Sequence, residues 1–178
     1  MTTEPLSQPA GADVDGHAIV SAQDLTRVYG EGEAAVHALD GVSVAFPRGR
    51  FTAIMGPSGS GKSTLMHCLA GLDVPTSGTV TLDGVELSGL DDSDLTKLRR
   101  EKVGFIFQSF NLLPVLTARE NIELPLSIAG DRPDTDWVER VIDTVDIRDR
   151  LTHRPAELSG GQQQRVAVAR ALASRPEV

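Results

Sequence analysis

GPSGSGKST, residues 56–64, is the stretch around which the rest of the chain is arranged. It fits the pattern G-x-x-x-x-G-K-[ST], a loop whose backbone amides wrap the phosphates of a nucleoside triphosphate. At ordinary residue frequencies a match arises by chance on the order of once in a hundred chains of this length, so the flanking residues decide. Before it stands FTAIM, residues 51–55, an apolar run that predicts a buried parallel strand. After it Leu65, Met66, Cys68, Leu69 and Leu72 recur at helical spacing, which predicts a helix over 62–72 ending near Gly71. Strand, glycine loop and helix in that order build an anion site from the main chain. Gly56, Gly59 and Gly61 let N–H groups turn inward, and the helix start aims its positive dipole end the same way. The predicted phosphate contacts are Gly56, Pro57, Ser58, Gly59, Ser60, Gly61, Lys62, Ser63 and Thr64. Of these, Lys62 reaches the β- and γ-phosphates and the Ser63 hydroxyl ligates Mg2+. A plain Gly/Ser-rich turn is the competing reading, and the strand before and helix after weigh against it.

Composition sets limits. With 178 residues, 40% of them hydrophobic and 24% charged, the chain can bury the core of one soluble globular domain. Its formal net charge of −8 argues against a general nucleic-acid binder, which carries a basic face. It does not argue against a nucleotide, because this loop recruits phosphate with backbone dipoles and one lysine. The single cysteine, Cys68, lies on the apolar face of the loop's helix and reads as a small core residue in a reducing compartment. No run approaches the ~18 apolar residues of a membrane span, and the N-terminus lacks the basic and apolar regions of a signal peptide. Any link to a membrane is therefore expected to pass through a partner.

Residues 1–17, polar and rich in Pro, Gly and acids, are expected to form a disordered tail before a domain over 18–178. Strands are predicted over 19–25 and 42–46, with a polar loop at 30–33 between them. TVTLDGVEL, residues 79–87, reads as a hairpin turning at Asp83-Gly84. A helix over 91–100 opens on acids and closes on Arg99 and Arg100, as its dipole favours. VGFIFQ, residues 103–108, is a second candidate for a buried strand. From about 110 to 158 the pattern becomes helical, broken by Pro114, Pro125 and Pro133, with Trp137, Val138, Val141, Ile142 and Val145 on one face. This predicts a smaller helical subdomain inserted after the second strand.

LSGGQQQR, residues 158–165, introduces a helix over 160–173. Ser159 with Gln162 three residues on matches a capping box, a sufficient structural reason for both. A cap alone does not account for Gly160 and Gly161 in the first turn, where each costs up to ~1 kcal/mol relative to Ala. Paired glycines at a helix start make sense where another backbone or a phosphate must come close.

LSGGQ together with GPSGSGKST resembles the nucleotide-binding subunit of ABC transporters from about residue 19 to the last residue. GPSGSGKSTLMHCLAGLDVPTSGTV and VGFIFQSFNLLPVLTARENIELPL look most similar to the macrolide-export and lipoprotein-releasing branch. The resemblance implies an α/β P-loop NTPase with a mainly parallel core sheet, an N-terminal antiparallel β portion and an inserted helical subdomain. It implies ATP and Mg2+ as cofactors. Tyr29 matches the aromatic that stacks on adenine, although a lone tyrosine is more often simply packed. Gln108 matches the glutamine that senses Mg2+ and the attacking water, in a position otherwise unremarkable for a surface residue. Ser159, Gly160, Gly161 and Gln162 match the signature that meets the γ-phosphate held by the opposite subunit. The implied partners are a membrane permease and a second nucleotide-binding subunit in a homodimer, with no nucleic acid. The implied location is the inner face of the cell membrane, reached through the permease.

The family pattern continues beyond the signature helix with a strand ending in Asp-Glu and a switch histidine, whereas the chain stops at RPEV, residues 175–178. As written it is expected to be a truncated record or a fragment of low stability, one that binds ATP with little turnover, since phosphoryl transfer depends on those groups. The function expected of the whole protein is ATP-driven transport. The alternatives are a binding module that does not hydrolyse, or a soluble ABC ATPase of translation or DNA repair. Against the last stand the acidic charge, the single phosphate loop and the short span between the two motifs.

Overall fold

A computed structural model describes residues 18–130 and 134–178. The expected tail and Pro133 lie outside the described residues. The chain divides into two compact units, Met1–Asp91 and Asp92–Val178.

In the first unit, β1 (Ala18–Tyr29) pairs antiparallel with β2 (Val36–Pro47) on one side and β3 (Ser77–Leu82) on the other, and β4 (Val85–Glu86) pairs with β3. The order is β2-β1-β3-β4. Val20, Ala22 and Leu25 of β1 are buried together with Leu39, Val80 and Leu82. The β3–β4 turn is the one foreseen: Asp83 (φ 47) and Gly84 (φ 77) are both left-handed, as a type I′ turn demands. Between β2 and β3 runs α1 (Lys62–Leu69), which buries Cys68 and Leu69. Helix α1 is shorter than its apolar spacing suggested, because the chain leaves it at Ala70 and Gly71 turns left-handed at φ 65. Burial pushes the Cys68 thiol above its ordinary range, which suits an inert core residue.

The two predicted buried strands need correction. Residues 51–55 form no strand, and Phe51 and Met55 stand 98% and 87% exposed. Residues 103–108 form none either, although the Gly104 N–H donates to the Val178 carbonyl at 2.8 Å. An apolar run announces a wish for burial, not the presence of a partner. Parallel neighbours in particular reach each other only through crossovers of a dozen or more residues. Within its own unit neither run finds such a neighbour, and every strand pairing among the described residues is antiparallel.

The second unit is helical: α2 (Asp92–Lys102), α3 (Ala118–Ala129), α4 (Thr135–Thr144) and α5 (Gly160–Ala173). Its core joins Ile122 and Leu126 of α3, Val138, Val141 and Ile142 of α4, and Val166 and Ala169 of α5. The apolar face foreseen for residues 137–145 is thus the buried face of α4. Pro125, expected to break a helix, sits inside α3. A mid-helix proline costs about 3 kcal/mol, but α3 buries Ala118, Asn121, Ile122 and Leu126 and holds its N-terminus with a Thr117–Glu120 capping box. Packing outweighs the missing N–H. Among the described residues no helix is long and apolar enough to cross a membrane.

Asn121, fully buried, knits the loop before α3 to the helix. Its Oδ1 accepts from the Leu113 N–H at 2.7 Å, and its Nδ2 donates to the carbonyls of Leu113, Leu116 and Thr117 at 3.1, 3.2 and 2.9 Å. Asn121→Ala strands these groups and is expected to cost about 2 kcal/mol. Urea unfolding followed at Trp137 checks it: an unmoved midpoint would mean that the network carries no net stability.

Candidate nucleotide site

Residues 56–61 turn tightly into α1. Gly59 (φ 80) and Gly61 (φ 81) hold left-handed conformations, and Gly61 is required twice over. A Cβ there would lie 2.3 Å from the Ala38 carbonyl oxygen and 3.2 Å from Leu39 Cδ2, so β2 presses directly on the loop. Gly61 is also the N-cap of α1 and has no side chain to offer. Helices α3, α4 and α5 are each capped by an oxygen, from Thr117, Asp134 and Ser159. Helix α1 instead presents its first N–H groups uncapped beside three glycines, the arrangement that suits an anion with several acceptor oxygens. Lys62 Nζ folds back over the loop and donates to the Pro57 carbonyl at 2.7 Å and to Ser60 Oγ at 3.3 Å. That position holds its charge directly over the loop. Ser63 is exposed in the first turn of α1. The donor set therefore fits a polyphosphate. Among the described residues no group of three or more His, Cys, Asp or Glu could hold a metal.

Tyr29 ends β1 and is 40% exposed. Its hydroxyl donates to Asp73 Oδ2 at 2.6 Å, and the Arg27 guanidinium lies over the ring, 4.6 Å from its centre. Arg27 also grips Asp73 at both oxygens, at 2.7 and 3.1 Å. Burial works against the Asp73 charge, but the bond from Tyr29 and the Arg27 cation hold its carboxyl below the ordinary range. Neither Arg27 nor Asp73 carries a motif, so only the fold reveals them.

In the second unit Gln108 is exposed in a turn. Two and three residues on, Phe110 (φ 61) and Asn111 (φ 46) are left-handed, an uncommon state for such residues. The Arg170 guanidinium of α5 donates to both of their carbonyls, at 2.6 and 2.7 Å. Its burial lowers the Arg170 pKa from the usual arginine range. The chain leaving Gln108 is thus clamped by the helix that begins at Gly160, a link no motif announces.

At the start of α5 the capping box is formed. The Gln162 N–H donates to Ser159 Oγ at 3.3 Å and the Ser159 N–H to Gln162 Oε1 at 2.8 Å. Gly160 and Gly161 are exposed, and a Cβ on either would meet nothing within 4 Å. Nothing in their own surroundings forbids a side chain. A recess of about 380 Å3 adjoins them, lined by Ser159, Gly161, Gln162, Arg148, Arg150 and Arg165 among others. The structure thus gathers residues 56–64 into one loop and ties Tyr29 to the segment after α1, both in the first unit. Gln108 and Ser159 to Gln162 belong to the second.

The ABC transporter family model matches residues 39–178. The chain is 52% identical over 156 residues to the macrolide export ATP-binding/permease protein MacB of Marinobacter nauticus, covering 86% of this chain and 24% of that protein. It is 45% identical over 160 residues to the lipoprotein-releasing system ATP-binding protein LolD of Legionella pneumophila, covering 89% and 70%. A dimeric structure of the ATP-binding cassette MJ0796 in a post-hydrolysis state, bound to ADP and Pi, superposes with a TM-score of 0.81. The two are 45% identical, with 88% of this chain and 70% of that one covered; MJ0796 is a protein of Methanocaldococcus jannaschii. The chain spans about a quarter of the MacB relative's length.

Proposed function

Because the chain belongs to the ABC transporter family as its ATP-binding domain, we propose that the whole protein hydrolyses ATP to drive a membrane permease. The observation that carries the reading is the uncapped start of α1, with Gly61 wedged under β2 and the Lys62 ammonium folded over the loop. Lys62 and the free backbone N–H groups of the loop and the first turn of α1 bind the β- and γ-phosphates; Pro57, which has no N–H, lines the loop without donating. The Ser63 hydroxyl contributes a ligand to Mg2+. When bound, that ion offsets charge on the terminal phosphates. Tyr29 stacks on the adenine and Gln108 orients the attacking water. Ser159, Gly160, Gly161 and Gln162 meet the γ-phosphate held by a second copy. Two helix starts, one from each copy, then face one triphosphate and neutralise it together. Attachment is peripheral, at the inner face of the membrane, through that permease. Residues 110–126, whose Leu113 and Val115 are exposed, are the segment proposed to dock the permease.

Calorimetric titration with MgATP tests the adenine contact. Tyr29→Ala is expected to weaken binding by about 1–3 kcal/mol, the range for a base on an aromatic platform. Unchanged affinity would return Tyr29 to a packing role.

A further inference from the structure

We propose that Asp73 is a positioning residue for the adenine, holding the Tyr29 ring ready for stacking and tying it to the helix that receives the phosphates. The inference rests on the reading of Tyr29 as the base platform. A tyrosine at a strand end has two free torsions, and an unfixed ring presents its face only part of the time. Here three contacts fix it. The hydroxyl is anchored on Asp73 Oδ2 at 2.6 Å, Arg27 covers one face at 4.6 Å, and Arg27 is itself locked to both Asp73 oxygens. The Val74 N–H fills a remaining acceptor position on Asp73 Oδ1 at 2.9 Å. Every bond that orients the ring therefore converges on one carboxylate. With Arg27 over one face and Tyr29 40% exposed, a base would stack on the opposite face.

The carboxylate is also anchored to α1. The Asp73 N–H donates to the His67 carbonyl at 3.2 Å, and the Leu72 N–H to the same oxygen at 2.8 Å, so Asp73 belongs to the cap that closes α1. The Thr76 N–H bonds to the Thr26 carbonyl at 2.8 Å and Thr76 Oγ1 accepts from the Val28 N–H at 3.0 Å, stitching the same segment to β1. One short stretch, residues 72–76, thus joins the far end of the phosphate helix to the strand that carries the ring. An asparagine at position 73 keeps the volume, but it has one acceptor oxygen in place of two and no charge. It cannot hold Arg27 at two points and Tyr29 as well.

The test compares two ligands on the full chain by calorimetry: MgATP, which uses the ring, and Mg-tripolyphosphate, which does not. Asp73→Asn is expected to weaken MgATP by about 3- to 10-fold, the fraction of time the ring is no longer in place. Tripolyphosphate affinity should stay within about twofold, the scatter ordinary for sites that do not interact. Tyr29→Phe, which removes only the hydroxyl, should weaken MgATP in the same direction, and the double variant should be no worse than the poorer single one. Tyr29 is the only tyrosine, so selective ring labelling yields one set of NMR signals. Those signals should shift in Asp73→Asn, and their displacement on adding ATP should shrink. Equal loss of both ligands would show that Asp73 acts through α1 alone and would overturn the proposal. So would Asp73→Asn binding MgATP as the wild type does while Tyr29→Ala binds it weakly. Should Tyr29→Ala bind MgATP normally, the platform reading itself fails first and takes this inference with it.

Discussion

Lys62→Ala is expected to lower MgATP affinity by about a hundredfold or more, since charge-assisted hydrogen bonds contribute about 1.5–3 kcal/mol each and this ammonium is proposed to reach two phosphates. The side chain projects from the first residue of α1 and lies over the loop, where Pro57 and Ser60 oxygens now occupy two of its three donors. Those contacts are exposed and replaceable by water, so the substitution leaves the fold intact. The loop's shape rests on Gly59 and Gly61 in left-handed conformations and on the pressure of β2 against Gly61. The amides therefore keep their direction in the variant, and the lost affinity reports the missing charge. Lys62→Arg should not restore binding, because a planar guanidinium is bulkier than the ammonium it replaces. Isothermal calorimetry decides the matter: wild-type affinity in Lys62→Ala would remove the phosphate loop from the account.

Ser159→Arg should abolish pairing of two copies on ATP while leaving ATP binding by the single copy untouched. The substitution removes the oxygen that accepts from the Gln162 N–H, a loss of about 1 kcal/mol for an N-cap. That is too little to unfold α5, which buries Val166, Ala167, Ala169, Ala171 and Ala173. The larger effect is steric. Gly160 and Gly161 stand beside open space, and a long side chain at position 159 would fill the gap proposed to admit a partner's nucleotide. Sedimentation velocity with and without ATP reads the outcome. Nucleotide-driven dimers as abundant as in the wild type would separate the LSGGQ segment from any role across a dimer interface. Calorimetry on the same sample confirms that the first site remains.

How the two sites became legible differs residue by residue. The geometry of GPSGSGKST could be read because it is local: three glycines, a lysine and a helix start are contiguous, the set proposed to bind phosphate. The β3–β4 hairpin was legible for a similar reason, since Asp83 and Gly84 alone set the turn. Pro125 misled because propensity is a weak prior, and α3 gains more from burying Ile122 and Leu126 than it loses in one N–H. Residues 51–55 and 103–108 misled for another reason. Apolarity in a short run records a preference for the interior, whereas a strand exists only when a second strand satisfies its backbone.

The linear order of residues by itself determined what each helix start offers: uncapped N–H groups behind Gly61, and a capped start behind Ser159 with two glycines to spare. Tertiary structure alone decided what braces those groups. Asp73 gathering Arg27 and Tyr29, Arg170 clamping the carbonyls of Phe110 and Asn111, and Ala38 pressing on Gly61 all join residues far apart in the chain. The division has one physical cause. Backbone dipoles and glycine torsions act within a turn and are written in neighbouring residues, whereas ion pairs and carbonyl clamps act through space and exist only once the chain has folded.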